Sequence, residues 1–165
     1  MKFFIFLLLI IPSDMKIEST YLPVKDFKLE NYLGTWYEIA RFDHSFEQGL
    51  THVTAQYEMK ENGMVRVINK GRKNGKEKIA TGKAKFNGDI HLGHLKVSFF
   101  LFFYADYIII YLDDNYETAI VTSGADYLWF LSRKPEISQD KKEQLIQLAK
   151  NNGFNTEKLI WVDQQ

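Results

Sequence analysis

Asn31-Tyr32-Leu33-Gly34-Thr35-Trp36-Tyr37-Glu38-Ile39-Ala40-Arg41-Phe42 joins a short helical turn to a strand through a Gly-x-Trp step, and its reading decides the fold. Glycine at 34 lets the backbone pass close to the end of a barrel, and tryptophan two residues later supplies a ring large enough to plug that end. Downstream, the chain is a train of short segments rich in Val, Ile, Tyr and Phe. Turn residues separate them at the spacing of an antiparallel meander. Eight strands are expected, over 35–42, 52–60, 64–72, 77–86, 94–100, 107–112, 116–122 and 126–132. Glu61-Asn62-Gly63, Lys73-Asn74-Gly75 and Asn87-Gly88-Asp89 lie between them, with glycine or asparagine available for positive φ.

After Lys134-Pro135 the period lengthens to that of a helix. Ser138 can cap a helix over 139–151, Asp140 suits its positive end, and Gly153 can terminate it. Leu145, Ile146, Leu148 and Ala149 form one apolar stripe, while Lys141, Lys142, Glu143 and Lys150 face water. A short strand over 159–162 follows. The expected fold is therefore all-β, an eight-stranded antiparallel up-and-down barrel with a C-terminal helix and a closing strand.

Composition agrees with one domain. The 165 residues suffice for a single sizeable core, and 15% aromatic content promises one. Lys plus Arg equals Asp plus Glu, at 21 each, which removes the broad electrostatic case for a nucleic-acid partner. The chain has no cysteine, so disulfides, thiolate metal ligands, a cysteine nucleophile and lipid attachment through an N-terminal cysteine are all excluded. Lys2 precedes the apolar run Phe3-Phe4-Ile5-Phe6-Leu7-Leu8-Leu9-Ile10-Ile11, which suits a signal-peptide core and falls short of the roughly 20 residues that span a bilayer. Residues 1–20 are read as a signal or hydrophobic N-terminal segment, and 21–165 as the folded domain.

Three motifs carry a family resemblance: Gly34-x-Trp36, the turn Leu112-Asp113-Asp114-Asn115-Tyr116, and Arg133 after Leu128-Trp129-Phe130-Leu131-Ser132. With them the chain resembles the lipocalins. The runs Tyr37-Glu38-Ile39-Ala40-Arg41-Phe42-Asp43-His44 and Val67-Ile68-Asn69-Lys70-Gly71 are similar to the bacterial group, of outer-membrane lipoprotein type. The meander brings all three motifs to one closed end, so Gly34, Trp36, Asp113, Tyr116 and Arg133 are expected to be structural. Arg133 should stack on Trp36 and donate to nearby carbonyls.

Strand alternation then sorts the interior. Ala55, Tyr57, Val65, Val67, Leu95, Val97, Phe99, Tyr107, Ile109, Tyr111, Val121, Tyr127 and Trp129 are expected to face inward. Small Ala80, Gly82 and Ala84 should leave one wall unfilled. Of these, Ala55, Tyr57, Val67, Val97, Phe99, Tyr107, Ile109, Val121, Tyr127 and Trp129 are expected to touch ligand, joined by Phe46 and Leu50 from a lid at 43–50. Such a lining shows no buried charge, which implies a long apolar ligand with tyrosine hydroxyls for its polar end. A fatty acid or lysophospholipid fits, and the resemblance implies both. His44 beside Asp43 could meet a carboxylate or phosphate headgroup, or simply stand exposed.

The segment Phe99-Phe100-Leu101-Phe102-Phe103-Tyr104 is the most unusual. Bacterial relatives usually carry glycine and proline where this chain has Leu101 and Phe102. The loop is expected at the open end, where Phe100, Phe102 and Phe103 could dock on a membrane or on a second copy in a homodimer, or could tuck back into the barrel.

Catalytic and metal readings find little support. His91-x-x-His94 lacks an evident third ligand, Asp113-Asp114 occupies a turn, and Ser123-Gly124 lacks the flanks of a nucleophile elbow. No cofactor is implied. The expected function is binding and transport or storage of a lipophilic ligand after export to the cell envelope, at the periplasm or outer-membrane periphery. The alternative is an enzyme acting on a lipid or small hydrophobic compound in the same barrel.

Overall fold

The computed structural model describes residues 20–165, so the segment read as targeting lies, but for its last residue, outside the described residues. A single helical turn, α1 (Leu29–Tyr32), leads into β1 (Gly34–Phe42). The meander continues through β2 (Thr51–Met59), β3 (Val65–Lys73), β4 (Lys76–Phe86), β5 (His94–Phe100), β6 (Phe103–Leu112), β7 (Thr118–Thr122) and β8 (Leu128–Ser132). Helix α2 (Gln139–Asn151) and β9 (Leu159–Trp161) complete the chain. Each strand pairs antiparallel with the next, and β1 pairs with both β8 and β2. The eight strands thereby close into a barrel, and β9 lies outside against β1.

Strand limits differ from the expected ones by two residues or more at the starts of β6, β7 and β8, and the first two have a local cause. Strand β6 begins at Phe103 because Phe103 pairs with Phe100, leaving Leu101 and Phe102 as a two-residue turn. Strand β7 begins at Thr118 because the Asp113 carboxylate accepts from the Glu117 N–H at 2.7 Å and the Thr118 N–H at 3.1 Å, holding the preceding residues as a turn.

Apolar side chains form two cores. One fills the lower barrel around Trp36, Phe27, Tyr32 and Ile109. The other lies between the outer wall and α2, joining Ile39, Ala40, Phe42, Ile120 and Phe130 to Leu145 and Ala149. Ser138 caps α2 by accepting from the Lys141 N–H at 3.2 Å.

Two irregularities in register decide what reaches the interior. Between Glu38 and Ala40 the β1–β8 ladder shifts, so Ile39, Ala40 and Phe42 join the outer core. A second shift, between Ile109 and Tyr111, sends both Ile110 and Tyr111 to the outer core. Tyr111 is therefore not an interior residue, because an extra residue in one strand breaks the alternation that had placed it inside.

The closed end assembles the three motifs. Trp36 is fully buried and donates its Nε1–H to the Tyr32 carbonyl at 2.8 Å. The Arg133 guanidinium lies 4.0 Å above the Trp36 ring and donates to the carbonyls of Asn31 (2.8 Å), Thr35 (2.9 Å) and Tyr116 (3.2 Å). Gly34 has φ +94°, and a Cβ there would stand 3.4 Å from Arg133 Nη1.

Strand β4 pairs with β3 from Lys76 to Ala84 but with β5 only from Lys83 to Phe86. Its upper half forks away at the open end. The wall there is not left empty as expected. A Cβ on Gly82 would come within 2.8 Å of the Phe99 ring, so that ring covers the glycine, while Ala84 is buried in the lower core and Ala80 is exposed.

Candidate functional site

Above the floor the barrel holds a cavity of about 350 Å³. The expected residues Phe46, Ala55, Tyr57, Val67, Val97, Phe99, Tyr107, Val121, Tyr127 and Trp129 all line it. Leu50 and Ile109 do not. Ile109 is fully buried in the lower core, where its N–H donates to the Gly93 carbonyl and its carbonyl accepts from the Val24 N–H, both at 2.8 Å. The segment crossing beneath the barrel thus takes Ile109 into the floor.

The tyrosines at the bottom are occupied with one another. Tyr107 Oη lies 2.7 Å from Tyr32 Oη and 2.7 Å from Tyr57 Oη, a row of three phenols with two hydrogen bonds. Burial raises the pKa of all three, so they stay neutral. Their hydroxyls serve the floor before they serve a ligand.

The polar character of the cavity comes from elsewhere, and the expectation of a wall without buried charge is overturned. Glu38 and Glu47 both line the cavity, at 5% and 9% exposure, and Arg41, at 1%, lies beside them. Arg41 Nη1 donates to Glu38 Oε1 at 2.7 Å, and Nη2 donates to the Glu47 carbonyl at 2.8 Å, which ties the lid at 43–50 to β1. The Trp129 Nε1–H donates to Glu47 Oε2 at 3.0 Å. Burial, with the neighbouring Glu47 carboxylate, pushes the Glu38 pKa up from 4.5 to about 8. Its contact with Arg41 is therefore mainly a hydrogen bond to a protonated acid at neutral pH.

Alternation from Trp36 was enough to find Glu38, which lies two residues along the same strand face. Arg41 was hidden by the shift after Glu38. Asn69, two residues beyond Val67, also lines the cavity, and its Oδ1 is buried without a partner.

The lid brings rings to the mouth. His44 stacks on Phe46 (5.1 Å) and packs against Tyr127 (4.5 Å) and Trp129 (5.5 Å). Burial lowers its pKa, so it is a neutral ring in an aromatic stack rather than a cation awaiting a headgroup. The lip faces outward: Phe100, Leu101, Phe102 and Phe103 are 62–85% exposed, and of this turn only Phe99 reaches the cavity. Leu101 sits at φ +48°, a conformation that favours glycine.

Elsewhere, His94 Nε2 is 2.6 Å from Asp106 Oδ1, which also meets Lys96 at 2.8 Å. Among the described residues, no three His, Asp or Glu side chains gather where they could hold a metal ion.

A lipocalin-like domain model matches residues 27–164. The chain is 50% identical over 144 residues to the outer membrane lipoprotein Blc of Citrobacter freundii, covering 86% of this chain and 81% of that protein. It is 47% identical over 147 residues to its counterpart in Vibrio cholerae, covering 87% and 86%. Among solved structures, insecticyanin from the tobacco hornworm Manduca sexta superposes with a TM-score of 0.72 at 22% identity, covering 87% of this chain and 84% of that one, a likeness of fold. With its barrel closed over Trp36 and Arg133 and these relatives along nearly all its described length, the chain belongs to the lipocalin family, as a bacterial lipocalin.

Proposed function

We propose that this protein binds one single-chain lipid, a fatty acid or lysophospholipid, and carries or stores it in the bacterial cell envelope. The observation that carries the reading is the 350 Å³ cavity, walled by Ala55, Val67, Val97 and Val121 and open beneath an aromatic mouth. Apolar walls with a few polar groups suit an acyl chain. The similarity to outer membrane lipoproteins supports the envelope as its place of work. Native mass spectrometry of the purified protein tests it. One lipid adduct per chain is expected, and Val97→Trp, which fills the cavity, should abolish it. Failure to retain or accept any lipid defeats the reading, and chemical conversion of the lipid would favour the enzyme alternative.

The same reading assigns the lip to peripheral membrane contact during loading and delivery. Phe100, Phe102 and Phe103 are 67%, 85% and 75% exposed, and the β3–β4 hairpin at the same end carries Lys73, Lys76 and Lys78. Aromatics beside lysines suit an anionic lipid surface. The double variant Phe102→Asp/Phe103→Asp should lose binding to phosphatidylglycerol vesicles by about tenfold or more in co-sedimentation. Unchanged sedimentation, together with a dimer that the variant dissolves in analytical ultracentrifugation, would give the lip to a second copy of the chain.

A further inference from the structure

The arrangement at the mouth specifies a headgroup more narrowly than an apolar cavity alone does. Three carboxyl groups line the cavity, Glu38, Glu47 and Asp106. Asp106 meets His94 and Lys96, while the Arg41 guanidinium donates to the Glu38 carboxyl and to the Glu47 backbone carbonyl, so the Glu47 carboxyl has no cation bonded to it among the described residues. Acids therefore exceed bases on this wall. Three of the four rings at the mouth, Phe46, Tyr127 and Trp129, also line the cavity, and Trp129 is hydrogen-bonded to Glu47 itself. A separate observation points the same way. Asn69 Oδ1, on β3, is a buried acceptor with no donor.

Carboxylates next to aromatic faces form a receptor for an ammonium ion: the acids supply charge, and the ring faces attract a cation through their quadrupoles. The same wall opposes a carboxylate ligand, which would bring a further acid to a guanidinium that already faces Glu38 and, at 3.8 Å, Asp43. We propose that the cavity selects single-chain amphiphiles bearing an ammonium group, held between the Glu38–Glu47 pair and the rings of Phe46, Tyr127 and Trp129.

The empty protein supports this through the proton on Glu38, which burial and the neighbouring Glu47 hold on its carboxyl. A bound ammonium takes the place of that proton. Glu38 then ionises, and Arg41 keeps its bond to it. The inference rests on the lipid-binding reading and deepens it by naming the headgroup chemistry.

Isothermal titration at pH 7 with three twelve-carbon amphiphiles, below their micelle concentrations, tests it: dodecylammonium, dodecanol and laurate. The cation should bind more tightly than laurate by about tenfold or more, with dodecanol between them. The double variant Glu38→Gln/Glu47→Gln keeps the shape of the site and should bring the three within about threefold of one another. Equal affinities in the native protein, or tighter laurate, overturn the inference and leave the carrier reading standing. So does a preference for the cation that persists undiminished in the double variant, since its source would then lie outside the pair. Failure of all three to bind overturns both.

Discussion

Replacing Arg41 with methionine is expected to cost about 3–5 kcal/mol, because it leaves two buried acceptors, the Glu38 carboxyl and the Glu47 carbonyl, without their donor. For a domain of this size, that is a fall in melting temperature of roughly 10 °C. Methionine conserves much of the volume, so packing contributes little to the loss. What disappears is the bond to Glu38 at 2.7 Å, the tie to the Glu47 carbonyl at 2.8 Å, and the longer ion pair with Asp43 at 3.8 Å. Urea unfolding at pH 7 reads this directly, and an unchanged midpoint would mean that the guanidinium does not hold the lid. Glu38→Gln should act in the opposite direction, with a dependence on pH. The Glu38 pKa is raised on folding from 4.5 to about 8, so the folded state holds a proton that the unfolded state has released. Its contribution to stability is complete below pH 4.5 and is lost as pH rises through about 8. Native stability should thus decline across that window by on the order of 1 kcal/mol per pH unit, and the glutamine variant should not follow it. Parallel pH profiles for the two proteins would contradict the assignment.

Trp36→Ala is the second large effect, at about 3–5 kcal/mol. The ring is fully buried, lies 4.7 Å from Tyr32 and 4.0 Å beneath the Arg133 guanidinium, and its Nε1–H satisfies the Tyr32 carbonyl. Removing it opens a void at the floor and strips Arg133 of its stacking surface. The cavity wall above does not include Trp36. Lipid stoichiometry in native mass spectrometry should therefore persist wherever the variant stays folded, even as its melting temperature drops. Trp36→Phe should recover part of the loss, since it restores a ring but not the hydrogen bond.

The fold was legible because its signals are local and periodic. Alternation of period two placed the strands, and the junction of Gly34, Trp36 and Arg133 could be assembled from meander topology alone, without any knowledge of distances. The same rule failed at two points for one reason. An inserted residue is invisible in an apolar run such as Ile108-Ile109-Ile110, so Tyr111 was sent to the wrong side. The equivalent shift after Glu38 hid Arg41. Glu38 is a different kind of omission: the pattern placed it inside, yet a carboxylate among apolar neighbours is normally assigned to water. Only the lid, folding Glu47 down beside it, shows why it can stay. His44 was similarly unreadable, because its environment depends on how Phe46, Tyr127 and Trp129 converge from two separate segments.

The fork between β4 and β5 has a bearing on solubility. Where β4 leaves β5, from Glu77 to Gly82, the backbone N–H and C=O groups on that side have no neighbouring strand. A bare strand margin in an otherwise closed cylinder is a template on which another chain could polymerise. The bare margin carries Lys78, and Lys76 and Lys83 bound it. An incoming strand of the same sequence would bring lysine against lysine, and that repulsion is how a barrel that does not fully seal can remain unaggregated at high concentration.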